Sequence, residues 1–236
     1  MVTRSDLIML EVTDGTAMQA YCAQPAGGPM RAGLIVGQEA YGVNSHIKNI
    51  CDRLAGEGYV AIAPEFLHRT TGPGSVWTYT DFESARPHVM ALTQETIAAD
   101  LAATFHHLRS MSNEPFPIGS IGFCMGGRVS FLANVTLPIV AGVSFYAGGM
   151  MPLLPRASEV HAPHLFVWGG LDKSITHEHV EAVAAAMKGA GKEFVSAEFS
   201  HAEHGFHCDE RAAYNPRAAT EAWALSMAFL RNRLLV

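Results

Sequence analysis

Cys124 stands in the string Gly122-Phe-Cys-Met-Gly126-Gly127, with a glycine two places to either side of it. This is the G-x-S-x-G pattern of a nucleophile turn with sulfur in place of oxygen. A nucleophile held on a sharp strand-to-helix turn needs neighbours without side chains, so that the chain can fold back on itself. At the start of the following helix, the dipole and the unbonded N–H groups favour a thiolate. The Met125 amide, next in the chain, is placed to bind a developing oxyanion.

A thiol nucleophile needs a base and a group to orient the base. Trp168-Gly-Gly-Leu-Asp172 puts a carboxylate just past one apolar stretch, and Phe199-Ser-His-Ala-Glu-His204-Gly-Phe puts imidazoles just past the next. The order Cys124, Asp172, His204 is the nucleophile–acid–base order of α/β-hydrolases. His204 is preferred over His201 and His207 because Gly205 follows it and permits a tight turn. Asp209 is the competing acid, and Asp172 could instead cap the next helix, although Thr176 is better placed for that. The string His201, His204, His207 and Cys208 offers a second chemistry, a zinc site, but matches no HExxH or paired-cysteine spacing. The expectation is therefore catalysis without metal or organic cofactor.

These residues require a sheet that presents strand ends to one side. Leu7–Thr13 and Thr16–Ala23 flank Asp14-Gly15 and predict an antiparallel hairpin. Ala32–Gln38, Tyr59–Ala63, Ile118–Phe123, Val140–Tyr146 and Leu165–Trp168 are short, nearly continuous apolar runs, and Phe194–Phe199 is a further strand. Apolar runs without alternation mean burial on both faces, as in a parallel sheet covered by helices. Helices are expected at Ser45–Ala55, Thr93–Met111, Arg128–Val135, Thr176–Lys188 and Pro216–Arg231. The stretch Glu65–Leu92, with Gly72-Pro-Gly74 inside it, reads as an irregular insertion. The fold class is α/β: a doubly wound, mostly parallel sheet of α/β-hydrolase type with an N-terminal antiparallel hairpin, in one domain spanning 1–236. In such sheets the working residues lie at the C-terminal ends of the strands.

Composition narrows the partners. With 49% hydrophobic and 16% charged residues, the 236-residue chain suits a large buried core. A formal net charge of -6 leaves no basic surplus for a nucleic-acid backbone. No apolar run approaches the length of a membrane span or a signal peptide, so a cytoplasmic enzyme acting on a small molecule is expected, as a monomer or small homo-oligomer. The four cysteines, Cys22, Cys51, Cys124 and Cys208, are scattered and expected reduced.

The chain resembles the dienelactone hydrolase (carboxymethylenebutenolidase) family from about Leu34 to its last helix. The resemblance rests on Gly37-Gln-Glu39-Ala-Tyr-Gly-Val-Asn44, Gly58-Tyr-Val-Ala-Ile-Ala-Pro64-Glu65-Phe-Leu, the Cys124 turn, Phe145-Tyr-Ala, Gly169-Gly-Leu-Asp172 and His204-Gly-Phe. It implies a cysteine triad that opens small unsaturated lactones through a thioester acyl-enzyme. It also implies that Glu39 takes part in generating the thiolate and that the Ala40 amide is the second oxyanion donor. Family members bind a substrate carboxylate with two arginines. One of those places is Cys208 here, and Arg86 is the nearest candidate for the other. Tyr146 matches a family tyrosine near the site, although strand packing explains it equally well. The runner-up activities are a general carboxylesterase or thioesterase, and a non-catalytic relative using Cys124 as a reactive thiol.

Overall fold

The computed structural model describes residues 2–112, 114 and 116–235. The chain divides into two compact units, Met1–Gly119 and Ser120–Val236. The first unit opens with β1 (Thr3–Glu11) and β2 (Ala17–Pro25), an antiparallel pair in which Leu10 faces Met18. Asp14 makes their turn. Its Oδ1 accepts the Thr16 amide at 3.0 Å and the Thr16 hydroxyl at 2.6 Å, and Gly15 follows at φ 85°. β3 (Ala32–Gly37) and β4 (Tyr59–Pro64) are parallel, and β4 also pairs antiparallel with β2, so the order is β1-β2-β4-β3.

Every residue of β3 and β4 is buried, as their unbroken apolar character requires. Helix α1 (Ser45–Gly56) joins them and buries Ile47, Ile50, Cys51 and Leu54 on one face; the Asn44 side chain caps it by accepting the Ile47 amide. The region expected to be irregular contains a helix, α2 (Phe82–Met90), capped by Asp81. Pro87 inside it reads in sequence as a breaker. Around α2 the chain is held by side chains. Glu65 accepts from Gln19 and from the Gly74 amide, and the bidentate pair of Arg69 on buried Asp100 ties the segment after β4 to α3 (Gln94–Ser110).

In the second unit β5 (Ile118–Phe123, beginning at the end of the first) leads into α4 (Met125–Thr136). β6 (Ala141–Phe145), β7 (His164–Gly169) and β8 (Phe194–Phe199) follow, in the order β5-β6-β7-β8, with β6–β7 and β7–β8 parallel. β5, β6 and β7 are buried throughout, whereas β8 is partly exposed along its length. A 3-10 helix at Met151–Glu159, not foreseen from its two prolines, precedes β7. Helices α5 (His177–Gly189) and α6 (Pro216–Leu234) complete the unit. Thr176, not Asp172, is the N-cap of α5, in a capping box with His179. Among the described residues no helix is long and apolar enough to cross a membrane.

Candidate active site

Cys124 is the N-cap of α4 and has φ 54° and ψ -116°, a conformation that side chains rarely adopt. Its amide donates to the Phe145 carbonyl at 3.0 Å, and its carbonyl accepts the Gly127 amide at 2.9 Å. The glycines flanking it follow from this bend. A Cβ on Gly122 would lie 1.8 Å from the Gly126 carbonyl oxygen, and one on Gly127 would lie 2.7 Å from the Ala147 Cβ. The amides of Met125 and Gly126, ahead of the Gly127 bond to Cys124, have no acceptor within the helix by its geometry. Their partial positive charge lies at the end of the helix that Cys124 caps.

Asp172, in the loop after β7, has each carboxylate oxygen in use. Oδ1 accepts the Ser174 amide at 2.8 Å and the Ile175 amide at 3.1 Å; Oδ2 takes His204 Nδ1 at 2.6 Å. Burial pushes the carboxyl toward its neutral form, but the His204 hydrogen bond and charge, with the two amides, outweigh it and hold Asp172 below the usual carboxylate range. A carboxylate facing Nδ1 fixes the tautomer: Nδ1 carries a proton, and Nε2 is left for Cys124, with which His204 also hydrogen-bonds. Burial of the ring lowers its proton affinity, yet the hydrogen bonds to Asp172 and Cys124 and their charges raise the imidazole from 6.5 to about 10. At neutral pH the ring is therefore an imidazolium. The arrangement can attack a carbonyl with sulfur, hold the resulting oxyanion on amides, and protonate a leaving group.

A second polar chain secures the turn from behind. Asn134 on α4 accepts the Ala162 amide at 2.9 Å and donates to His164 Nδ1 at 3.1 Å. His164 Nε2 therefore donates to the Ser144 hydroxyl at 2.8 Å, and that hydroxyl donates to the Gly127 carbonyl at 2.7 Å. All of these side chains are buried, and burial pushes His164 down to about 3, so it is neutral and its donor–acceptor order is set.

The sequence profile of the dienelactone hydrolase family matches residues 18–234. The chain belongs to that family. With membership come the α/β-hydrolase fold and the enzyme class, a hydrolase of carboxylic esters. A candidate carboxymethylenebutenolidase of Synechocystis sp. is 35% identical over 214 residues, covering 86% of this chain and 87% of the relative. Another, from Methylorubrum extorquens, is 33% identical and covers 92% and 77%. A candidate dienelactone hydrolase from Klebsiella pneumoniae, of known structure, superposes with a TM-score of 0.87 at 28% identity, covering 97% of this chain and 98% of that one.

Among the residues expected from sequence, the second unit brings together Cys124, Asp172 and His204. Tyr146 packs its ring 5.1 Å from the His204 ring and is fully buried. At φ 35° it is, with Cys124, one of two described non-glycine residues in the left-handed region. The competing histidines are otherwise engaged. His207 is packed among Phe123, Phe145 and Trp223 at 5.1 to 5.6 Å, and His201 is exposed. The three rings of the string considered for zinc thus have three different surroundings, and His204 is the one bonded to Asp172. Cys208 is buried. In the first unit, Glu39 and Ala40 follow β3 and are both buried. Arg86 lies on α2, exposed, with Glu83 at 3.5 Å. Sequence reasoning missed Arg128, which lies four residues past the sulfur, and Arg211, whose guanidinium covers Gly205 so closely that a Cβ there would meet it at 2.5 Å. Neither carried a signal, since an arginine on a helix or in a loop reads as a solvated charge.

Proposed function

We propose that the chain opens small lactones, and cleaves comparably activated esters, through a thioester on Cys124. The Cys124 sulfur adds to the carbonyl carbon, and the carbonyl π electrons move to oxygen. The amides of Met125 and, by the family resemblance, Ala40 hold that oxyanion. As the carbonyl re-forms, the C–O bond to the leaving oxygen breaks and His204 supplies its proton. Water then adds to the thioester with His204 as base, releasing the hydroxy or keto acid and regenerating the thiol. Asp172 keeps the imidazole oriented and stabilises its charged form. Glu39 keeps the role the resemblance gives it, taking part in generating the thiolate.

One observation carries this reading: the 2.6 Å Asp172–His204 hydrogen bond on a ring that also bonds the sulfur of a strained, helix-capping cysteine. Thiolate leaves a tetrahedral intermediate more readily than an amine does, so the chemistry suits enolate, phenolate and thiolate leaving groups rather than amides. The test is hydrolysis of a carboxymethylene butenolide and of p-nitrophenyl acetate by wild type and Cys124→Ala. Loss of both activities in the variant is expected; equal rates in the two proteins sink the proposal.

A further inference from the structure

Arg128 stands on the first turn of α4, which Cys124 caps, and is near enough to the sulfur for the two to act on each other electrostatically. Its Nε is closed off from solvent and meets no hydrogen-bond acceptor. Among the described residues no carboxylate pairs with it, whereas Arg69, Arg156, Arg217 and Arg233 each have an acidic partner within 3.1 Å. Burial acts against its charge, and the one group acting the other way is Cys124. The guanidinium has a built seat nonetheless. Gly149 turns beneath it at φ 73°, where a Cβ would lie 2.9 Å from Nη1 and 3.4 Å from Cδ. Gly149 is also a wall of a cavity of about 80 Å³, with Ala147, Met150, Trp168, Ile175 and His179. The Ile175 amide on that wall is one of the two holding Asp172.

A partly desolvated guanidinium without an acceptor is unfavourable, and a ligand anion removes the penalty. Its planar fork of N–H donors matches a carboxylate. We propose that Arg128 is the anion subsite of this enzyme and binds a carboxylate carried by the substrate whose carbonyl Cys124 attacks, which rests on the function proposed above. The role is then supplied from the nucleophile's own helix. Of the two places where the family keeps its arginines, one is the buried Cys208 and the other has only Arg86, exposed beside Glu83.

Two measurements separate this subsite from the hydrolase reading. The first is alkylation of Cys124 by iodoacetate against iodoacetamide, equal in shape and different in charge. The ratio of rates in the native protein should exceed that of the urea-unfolded protein by about tenfold, the lower end of a charge-assisted hydrogen bond. It should fall toward the unfolded value in Arg128→Gln and be partly restored in Arg128→Lys. The second is kcat/KM for a carboxymethylene butenolide against its methyl ester. Arg128→Gln should lose about 10- to 100-fold on the free acid and less than about threefold on the ester. A native ratio no higher than the unfolded one, an unchanged ratio in Arg128→Gln, or equal losses on the two lactones overturns the subsite. If Arg128→Gln does not fold, Arg128→Met takes its place in both comparisons, with the same outcomes for and against the subsite. If neither lactone is turned over, the hydrolase reading fails while the alkylation ratio still judges the subsite.

Discussion

Replacing Asp172 by asparagine tests the imidazole's orientation and its charge in one change. The two amides of Ser174 and Ile175 demand an acceptor at the Oδ1 position, so an asparagine will keep its oxygen there. Its NH₂ group then faces His204 Nδ1, which has to become the acceptor. The ring proton moves to Nε2, and the nitrogen facing Cys124 can no longer take a proton from sulfur. The charge effect adds to this. His204 is raised from 6.5 to about 10, a span of about 3.5 pH units. At 1.36 kcal/mol for each pH unit this is about 5 kcal/mol favouring the imidazolium, shared between Asp172 and Cys124. Losing half or more of it is worth about 2–4 kcal/mol, or roughly 30- to 1000-fold in rate. The tautomer error alone reaches about 10⁴-fold in the serine-protease triad. Hydrolysis of p-nitrophenyl acetate, followed from pH 5 to 11, should therefore drop by about 10³-fold in Asp172→Asn. The alkaline limb, set in wild type where His204 loses its proton near 10, should move to lower pH. A folded variant with less than about tenfold loss and an unmoved limb would refute the assignment.

Three further outcomes follow from the packing. Gly127→Ala, whose Cβ would sit 2.7 Å from the Ala147 Cβ and 3.0 Å from the Phe145 carbonyl, should lower the unfolding free energy by about 1–3 kcal/mol in urea titrations; an unchanged midpoint contradicts the close approach. His164 is held near 3 in the folded protein against 6.5 when free, so its contribution is fully present above pH 6.5 and lost as pH falls toward 3. The stability gap between wild type and His164→Gln should therefore narrow by up to about 1.4 kcal/mol per pH unit in that window, and parallel pH dependences would argue against a neutral buried ring. Asp100→Asn removes the buried carboxylate to which Arg69 makes two 2.8 Å bonds, and should lower stability by about 3 kcal/mol by calorimetry; no change in Tm would mean that the pair holds nothing in place.

Much of this site is legible in residue order because its constraints are local. Gly122 and Gly127 mark the bend since a Cβ at either would collide with its neighbours, and the largely apolar β5, β6 and β7 announce their burial on both faces. Choosing among His201, His204 and His207 is harder, for all three sit within seven residues. The decision lies in the reach of Asp172, 32 positions away, and in the aromatic rings that claim His207. Arg128 is illegible for a different reason. Its chemistry is defined by the acceptor that is not beside it, and a chain written in one dimension does not record which charges fail to meet. The helix α2 is hidden by Pro87, and the left-handed turn at Tyr146 by the rarity of that conformation in a bulky residue.

Two of the imidazoles described above are displaced in opposite directions, fully buried His164 to about 3 and half-buried His204 to about 10. Between about pH 4 and pH 9 the resting protein therefore holds the first ring uncharged and the second cationic. The histidine side chain is ordinarily the most acidity-responsive in a protein near neutrality. Here, at the two places where the fold depends on it, it is pinned. The charge states of these two rings, one behind the Cys124 turn and one beside its sulfur, thus hold through ordinary swings in acidity.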